Sequence, residues 1–156
     1  MKKLLCLLIM IQFFVFGCSN AGGHFKDYNQ AELTDKFQEA GVDPKLPTKF
    51  PVEIKEEVFN PPFEDEKVYS VDFLGTKNER FSLQIIEGGN VDYEHRLEKE
   101  NVEIGKNNGL YFMNDVGTMM LAWTEGDYHY FMSYYSALSE TKLTKEDLIE
   151  TAKSFE

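Results

Sequence analysis

Three histidines, one acidic run and one tyrosine-rich strand carry the groups that could do chemistry in this chain. His24, His95 and His129 have no spacing suited to a shared metal, and neither an HExxH motif nor a cysteine pair is present. His129 stands between Tyr128 and Tyr130; paired with a glutamate it could do acid–base work. No nucleophile is placed beside it, and on a strand it reads as a sheet-face residue. Glu64-Asp65-Glu66, with Glu56-Glu57 upstream, offers the oxygen ligands that calcium takes from a loop. The EF-hand spacing and its glycine are missing, so a solvated charge run is expected. No metal and no cofactor are expected. GxSxG, Walker and Rossmann signatures are absent. An enzyme here would be a hydrolase with acid and base residues that the sequence does not single out.

The tyrosines are the remaining candidates. Period two puts Tyr128, Tyr130, Met132 and Tyr134 on one face of a strand, and His129, Phe131, Ser133 and Tyr135 on the other. Two readings stay open. Either both faces are covered, one by a C-terminal and one by an N-terminal helix, or one face is an open ligand surface of Tyr128, Tyr130 and Tyr134. Tyrosine has an apolar body and a polar tip, which suits a glycan, peptide or lipid tail. At least one of the three is expected to be exposed, with Trp123 on the preceding run buried.

These side chains need a frame. Leu33, Phe37 and Ala40 recur at helical spacing, which predicts an amphipathic helix from Gln30 to a stop at Gly41. Five prolines between Pro44 and Pro62 argue against helix there and leave Val52–Ile54 at most an edge strand. Tyr69, Val71 and Phe73, then Phe81, Leu83 and Ile85, alternate around Gly75–Glu79 and predict a hairpin with one buried face. The segment from Tyr93 to Glu100 reads equally as a short exposed helix or an irregular strand. Apolar runs at 102–104, 110–113, 118–124 and 128–135 are separated by Asn107-Asn108-Gly109, Asn114–Gly117 and Glu125-Gly126-Asp127, which predicts an antiparallel meander. Thr144 reads as an N-cap, followed by a stripe of Leu148, Ile149, Ala152 and Phe155. The expected fold class is α+β: a twisted antiparallel sheet with a C-terminal helix packed on one face and a small N-terminal helix.

Lys2-Lys3, an apolar Leu4–Phe16 interrupted by Gln12, and Val15-Phe16-Gly17-Cys18 form an export signal. Its thirteen apolar-run residues fall short of the roughly 20 that span a bilayer. The closing tetrad looks like the lipobox of bacterial lipoproteins, which implies a diacylglyceryl group on Cys18 and an extracytoplasmic, membrane-anchored address. Two acyl chains anchor stably where one does not. The expected organisation is a signal peptide over 1–17, a lipidated cysteine and tether over 18–29, and one domain over 30–156. Removing residues 1–17 leaves 139 residues and moves the formal charge from −11 to −13. Cys6 leaves with the signal and Cys18 carries lipid, so no disulfide is expected. Nucleic acid is excluded as a partner by the acidic surface. The partners expected are the membrane, through Cys18, and an envelope protein, glycan or lipid.

The order of motifs also has a likeness. Leu46-Pro47-Thr48-Lys49-Phe50-Pro51, the hairpin, Gly109-Leu110-Tyr111, Leu121-Ala122-Trp123-Thr124-Glu125-Gly126 and Leu143–Leu148 ahead of Ile149–Phe155 follow one another. Over Leu46 to Glu156 the chain resembles the uncharacterised domain of Bacillus-type lipoproteins, also found at the extracytoplasmic ends of some anti-sigma factors. The resemblance implies a small α+β fold outside the membrane of a Gram-positive cell, with no catalytic residues to carry over. Some relatives report envelope state to a sigma factor. A signal-type segment precedes this domain, so direct sigma-factor control is not expected. The expected role is a non-enzymatic binding or interaction module at the cell envelope; the alternative is a carrier holding lipid or glycan between sheet and helix.

Overall fold

Polar and apolar residues alternate on β4 and β5, and that alternation gives this half of the sheet one dry face. The computed structural model describes residues 25–64, 66–88, 91 and 98–156. The signal segment, Cys18, His24, Asp65, His95 and residues 93–97 of the ambiguous stretch lie outside the described residues. In chain order the elements are β1 (Lys26–Asp27), α1 (Ala31–Glu39), β2 (Lys49–Phe50), β3 (Ile54–Asn60), β4 (Val68–Gly75) and β5 (Arg80–Glu87). Then come β6 (Lys99–Ile104), β7 (Asn107–Met113), β8 (Met119–Glu125), β9 (Tyr128–Tyr134), a 3₁₀ turn at Ser136–Leu138, and α2 (Lys145–Lys153). The fold is α+β. β1 and β2 form a small ribbon, and the other seven strands pair antiparallel in the order β3-β4-β5-β9-β8-β7-β6. The sheet is therefore two meanders, one of three strands and one of four, joined where β9 returns to β5.

Register shows which face is dry. Tyr69, Ile85, Tyr130 and Trp123 lie in one row across β4, β5, β9 and β8, and Phe73, Phe81, Tyr134 and Met119 in another. All eight are buried. Both helices cover this face. Phe37 of α1 packs on Phe59 and Tyr69, with ring centroids 4.9 and 5.6 Å apart. Phe155, just beyond α2, meets Trp123 and Tyr130 at 5.1 and 5.5 Å. The reading with one helix on each face is thus corrected. On β4 and β5 the other face carries Ser70, Asp72, Ser82 and Gln84, which need no apolar cover.

Three boundaries also move. The tether expected over 18–29 stops earlier, because β1 pairs with β2 and Tyr28 N–H donates to the Thr48 carbonyl at 2.7 Å. Tyr28 then packs edge-on against Phe50 and Phe73, so the folded domain includes β1 and does not start at residue 30. The edge strand runs Ile54–Asn60, past the expected Val52–Ile54. The turn expected at Asn107-Asn108-Gly109 is instead Gly105-Lys106, since Ile104 pairs with Asn107. Gly105 has φ +59°, the backbone a two-residue hairpin needs at its first position. Gly109 sits inside β7, where a Cβ would come within 2.6 Å of Ile104 Cδ1.

α2 is capped as expected. Thr144 Oγ1 accepts from Asp147 N–H and Asp147 Oδ2 accepts from Thr144 N–H, at 3.2 and 2.8 Å. Leu148 and Ala152 are buried and Ile149 is half-buried. Backbone bonds between Leu46 and Glu156 pin the end of the chain to the segment before β2.

The strands give the molecule two ends. The β4–β5 turn, the β7–β8 loop and residues 135–142 gather at one, the turn end. The β3–β4 loop, the tight turns at Gly105 and Gly126, and residues 40–46 gather at the other.

Candidate functional site

The tyrosine strand is where the sequence pattern points, and its geometry is that of a core element. Tyr130 is 1 % exposed and Tyr134 0 %, while Tyr128 is half-buried. Trp123 is 4 % exposed and stacks on Tyr130 at 5.0 Å with the rings 10° from parallel. The open ligand surface of Tyr128, Tyr130 and Tyr134 is therefore corrected at Tyr130 and Tyr134. The cause is the placement of both helices on the face these residues share. The buried Trp123 is as expected.

Each hydroxyl instead holds a connection down onto the sheet. Tyr128 Oη accepts from Asp43 N–H at 3.1 Å and Tyr130 Oη accepts from Lys45 N–H at 3.0 Å, which fixes the α1–β2 segment. Tyr134 Oη lies 2.6 Å from Ser139 Oγ and donates to the Thr141 carbonyl, which fixes the link from β9 to α2. Burial pushes the phenols of Tyr130 and Tyr134 above their usual range, so both stay neutral donors and acceptors.

The other candidates are scattered. His129 Nδ1 is 2.8 Å from Thr124 Oγ1 on the outer face of the sheet. The two border a hollow of about 240 Å³ shared with Val91, Asn101, Asn108 and Leu110. Glu64 and Glu66 are exposed, and Glu57 faces Lys36 of α1 at 3.5 Å. Burial raises the Glu57 carboxyl above its ordinary range. Among the described residues no group of three or more His, Cys, Asp or Glu is placed to hold a metal ion.

Two features have little trace in the sequence pattern. Glu79 is 2 % exposed beneath the β4–β5 turn, where its carboxylate accepts from Lys77 N–H at 2.6 Å and from the Thr141 hydroxyl. Gly75 is the residue that leaves room for it, since any Cβ there would strike the Glu79 side chain. Beside it lies a groove of about 390 Å³ at the turn end, lined by Leu74, Leu138, Lys55 and Arg80 among others. The only signal for either is a charged residue closing a glycine turn, a pattern that solvent-exposed turns share.

Comparison of the chain with models of known protein families, with curated protein sequences and with solved structures gives no match.

Proposed function

We propose that this chain is a lipid-anchored extracytoplasmic protein that acts as a non-enzymatic binding or interaction module at the cell envelope. The observation that carries this reading is the spacing between Cys18 and the fold. Among the described residues the first strand begins at Lys26, eight positions after the cysteine. A signal-type segment, an acylatable thiol and an immediately adjacent domain are the parts such a protein requires. The acidic surface supports an envelope protein or glycan as partner over nucleic acid.

The carrier alternative needs space between helices and sheet. Phe37, Phe50, Phe73, Phe81, Tyr130 and Tyr134 fill that layer and are each at most 1 % exposed. This packing favours the interaction module. The mixed polar and apolar hollow beside His129 and Thr124 is the surface feature at which a small envelope group would be sought.

Replacing the thiol tests the anchor. Cys18→Ala is expected to abolish incorporation of labelled palmitate and to leave precursor or released protein; unchanged labelling refutes the assignment. Native mass spectrometry of the domain from Gly22 onward separates module from carrier: a clean apo mass is expected, and a retained hydrophobic mass would favour the carrier.

A further inference from the structure

The two ends of the sheet differ in a way that the anchored reading turns into an orientation. We propose that the turn end rests against the lipid surface, with Val116 and Leu138 dipping into the interfacial layer and lysines at headgroup level. This rests on the anchoring of Cys18 proposed above and adds the face presented to the bilayer.

The tether supplies the first argument. Lys26 pairs with Phe50, and the Phe50 ring lies 4.9 Å from Phe73 and 5.2 Å from Phe81. Those two residues occupy the row nearest the turn end, so the chain enters the fold there. Seven residues separate Cys18 from Lys26, and a flexible chain of that length spans on the order of 15 Å. The eight-residue strands β4 and β5 are about 26 Å long. Standing on the opposite end would draw the tether along the full height of the domain, close to its extended limit of about 28 Å.

Exposed apolar residues supply the second. Five large apolar side chains are well exposed among the described residues, and three of them stand at the turn end: Met113 at 55 %, Val116 at 68 % and Leu138 at 75 %. The loops bearing the last two are tied together, because Ser136 Oγ donates to the Gly117 carbonyl at 2.6 Å. Leu138 also walls the groove with Leu74, whose rim carries Lys55 and Arg80. Apolar tips with cations beside them match the layering of a membrane interface.

Charge supplies the third. Lys55, Lys77, Lys99 and Lys142 sit at the turn end, make no ion pair among the described residues, and offset the exposed carboxylates of Glu53, Glu98, Asp115 and Glu140 there. At the opposite end Lys45 is bound to Glu125 and Lys67 to Glu87, while exposed Asp43, Glu64, Glu66, Glu103 and Asp127 outnumber the unpaired Lys106. On a chain of net charge −11 the turn end is thus where anionic headgroups meet least repulsion.

The test uses the full lipidated chain, in which an introduced thiol is the only free one after processing. Val116→Cys, Leu138→Cys and Phe63→Cys are each labelled with an environment-sensitive fluorophore. They are reconstituted into vesicles of phosphatidylglycerol and phosphatidylcholine, with and without nitroxide-bearing lipid. A blue shift and quenching at 116 and 138, with neither at 63, is the expected result. Equal behaviour at all three sites, or quenching at 63 alone, overturns the orientation. Shielding of 116 and 138 in native membranes but not in protein-free vesicles assigns this end to a protein partner and also overturns it. Palmitate incorporation and vesicle flotation are scored for every variant. A chain lacking acyl label fails the anchoring reading itself, whereas an acylated, floating chain without quenching fails only the orientation.

Discussion

Glu79 is a carboxylate that the fold uses as a fastener. Burial alone would raise its pKa, but the Thr141 hydroxyl, the backbone N–H groups of Lys77 and Glu79, and the Lys77 charge outweigh it and hold it below the ordinary 4.5. A depressed folded-state pKa gives stability that is complete above the unfolded value and lost as pH falls through the folded one. Glu79→Gln is therefore expected to lower stability at neutral pH by about 1–3 kcal/mol. It should also flatten the loss of stability below about pH 4.5, read by urea titration across pH. Tyr130 gives a second residue-scale prediction. Tyr130→Phe removes one hydroxyl from the Lys45 N–H and should destabilise by about 1 kcal/mol, whereas Tyr130→Ala empties a core position and should cost about 3–5 kcal/mol. Equal small effects would mean that the ring is not packed against Trp123 and Phe155.

At the scale of elements, the capping box of α2 fixes where the helix starts. Thr144→Ala should cost about 1 kcal/mol, read as a lower thermal midpoint, and Thr144→Ser should recover most of it. Deleting residues 144–156 removes Leu148, Ala152 and Phe155 from the inner face and is expected to leave an insoluble or unfolded chain. The elements most legible in the sequence are those with a repeating pattern. The alternation of Tyr69, Val71 and Phe73 with polar partners marks β4, and Leu148 and Ala152 at helical spacing mark α2. β3 is less legible because Lys55, Glu56 and Glu57 mask an edge strand as a charge run. The tyrosines mislead because alternation assigns residues to a face without saying which face the helices choose. That choice depends on Phe37 and Phe155, far away in sequence. Glu79 is invisible for a related reason: Thr141, its partner, lies 62 residues downstream.

Across the whole molecule, the seam between β5 and β9 joins the halves. Seven pairs of residues, from Phe81 with Tyr134 to Glu87 with Tyr128, close it. Without them the three-stranded and four-stranded meanders would each expose an apolar face and an open edge. A chain stopped at Asp127 lacks the returning strand, and is expected to be digested by protease at a rate close to that of denatured protein. Survival of a resistant core would show that the first meander, α1 and the β1–β2 ribbon fold alone.

The returning strand also sets an order of events during synthesis. A chain made from its amino terminus delivers β3, β4 and β5 first, and waits some forty residues for β9. Loop closure of that length is entropically unfavourable until the partner arrives, and contacts so distant in sequence form slowly. During the interval the β5 edge stands unpaired. The charged residues of β3, Lys55, Glu56 and Glu57, guard one edge throughout, but Phe81, Leu83 and Ile85 on β5 have no such protection. Folding of this domain thus has a vulnerable stage that ends only when residues 128–134 emerge, and assistance from a folding factor would act in that window.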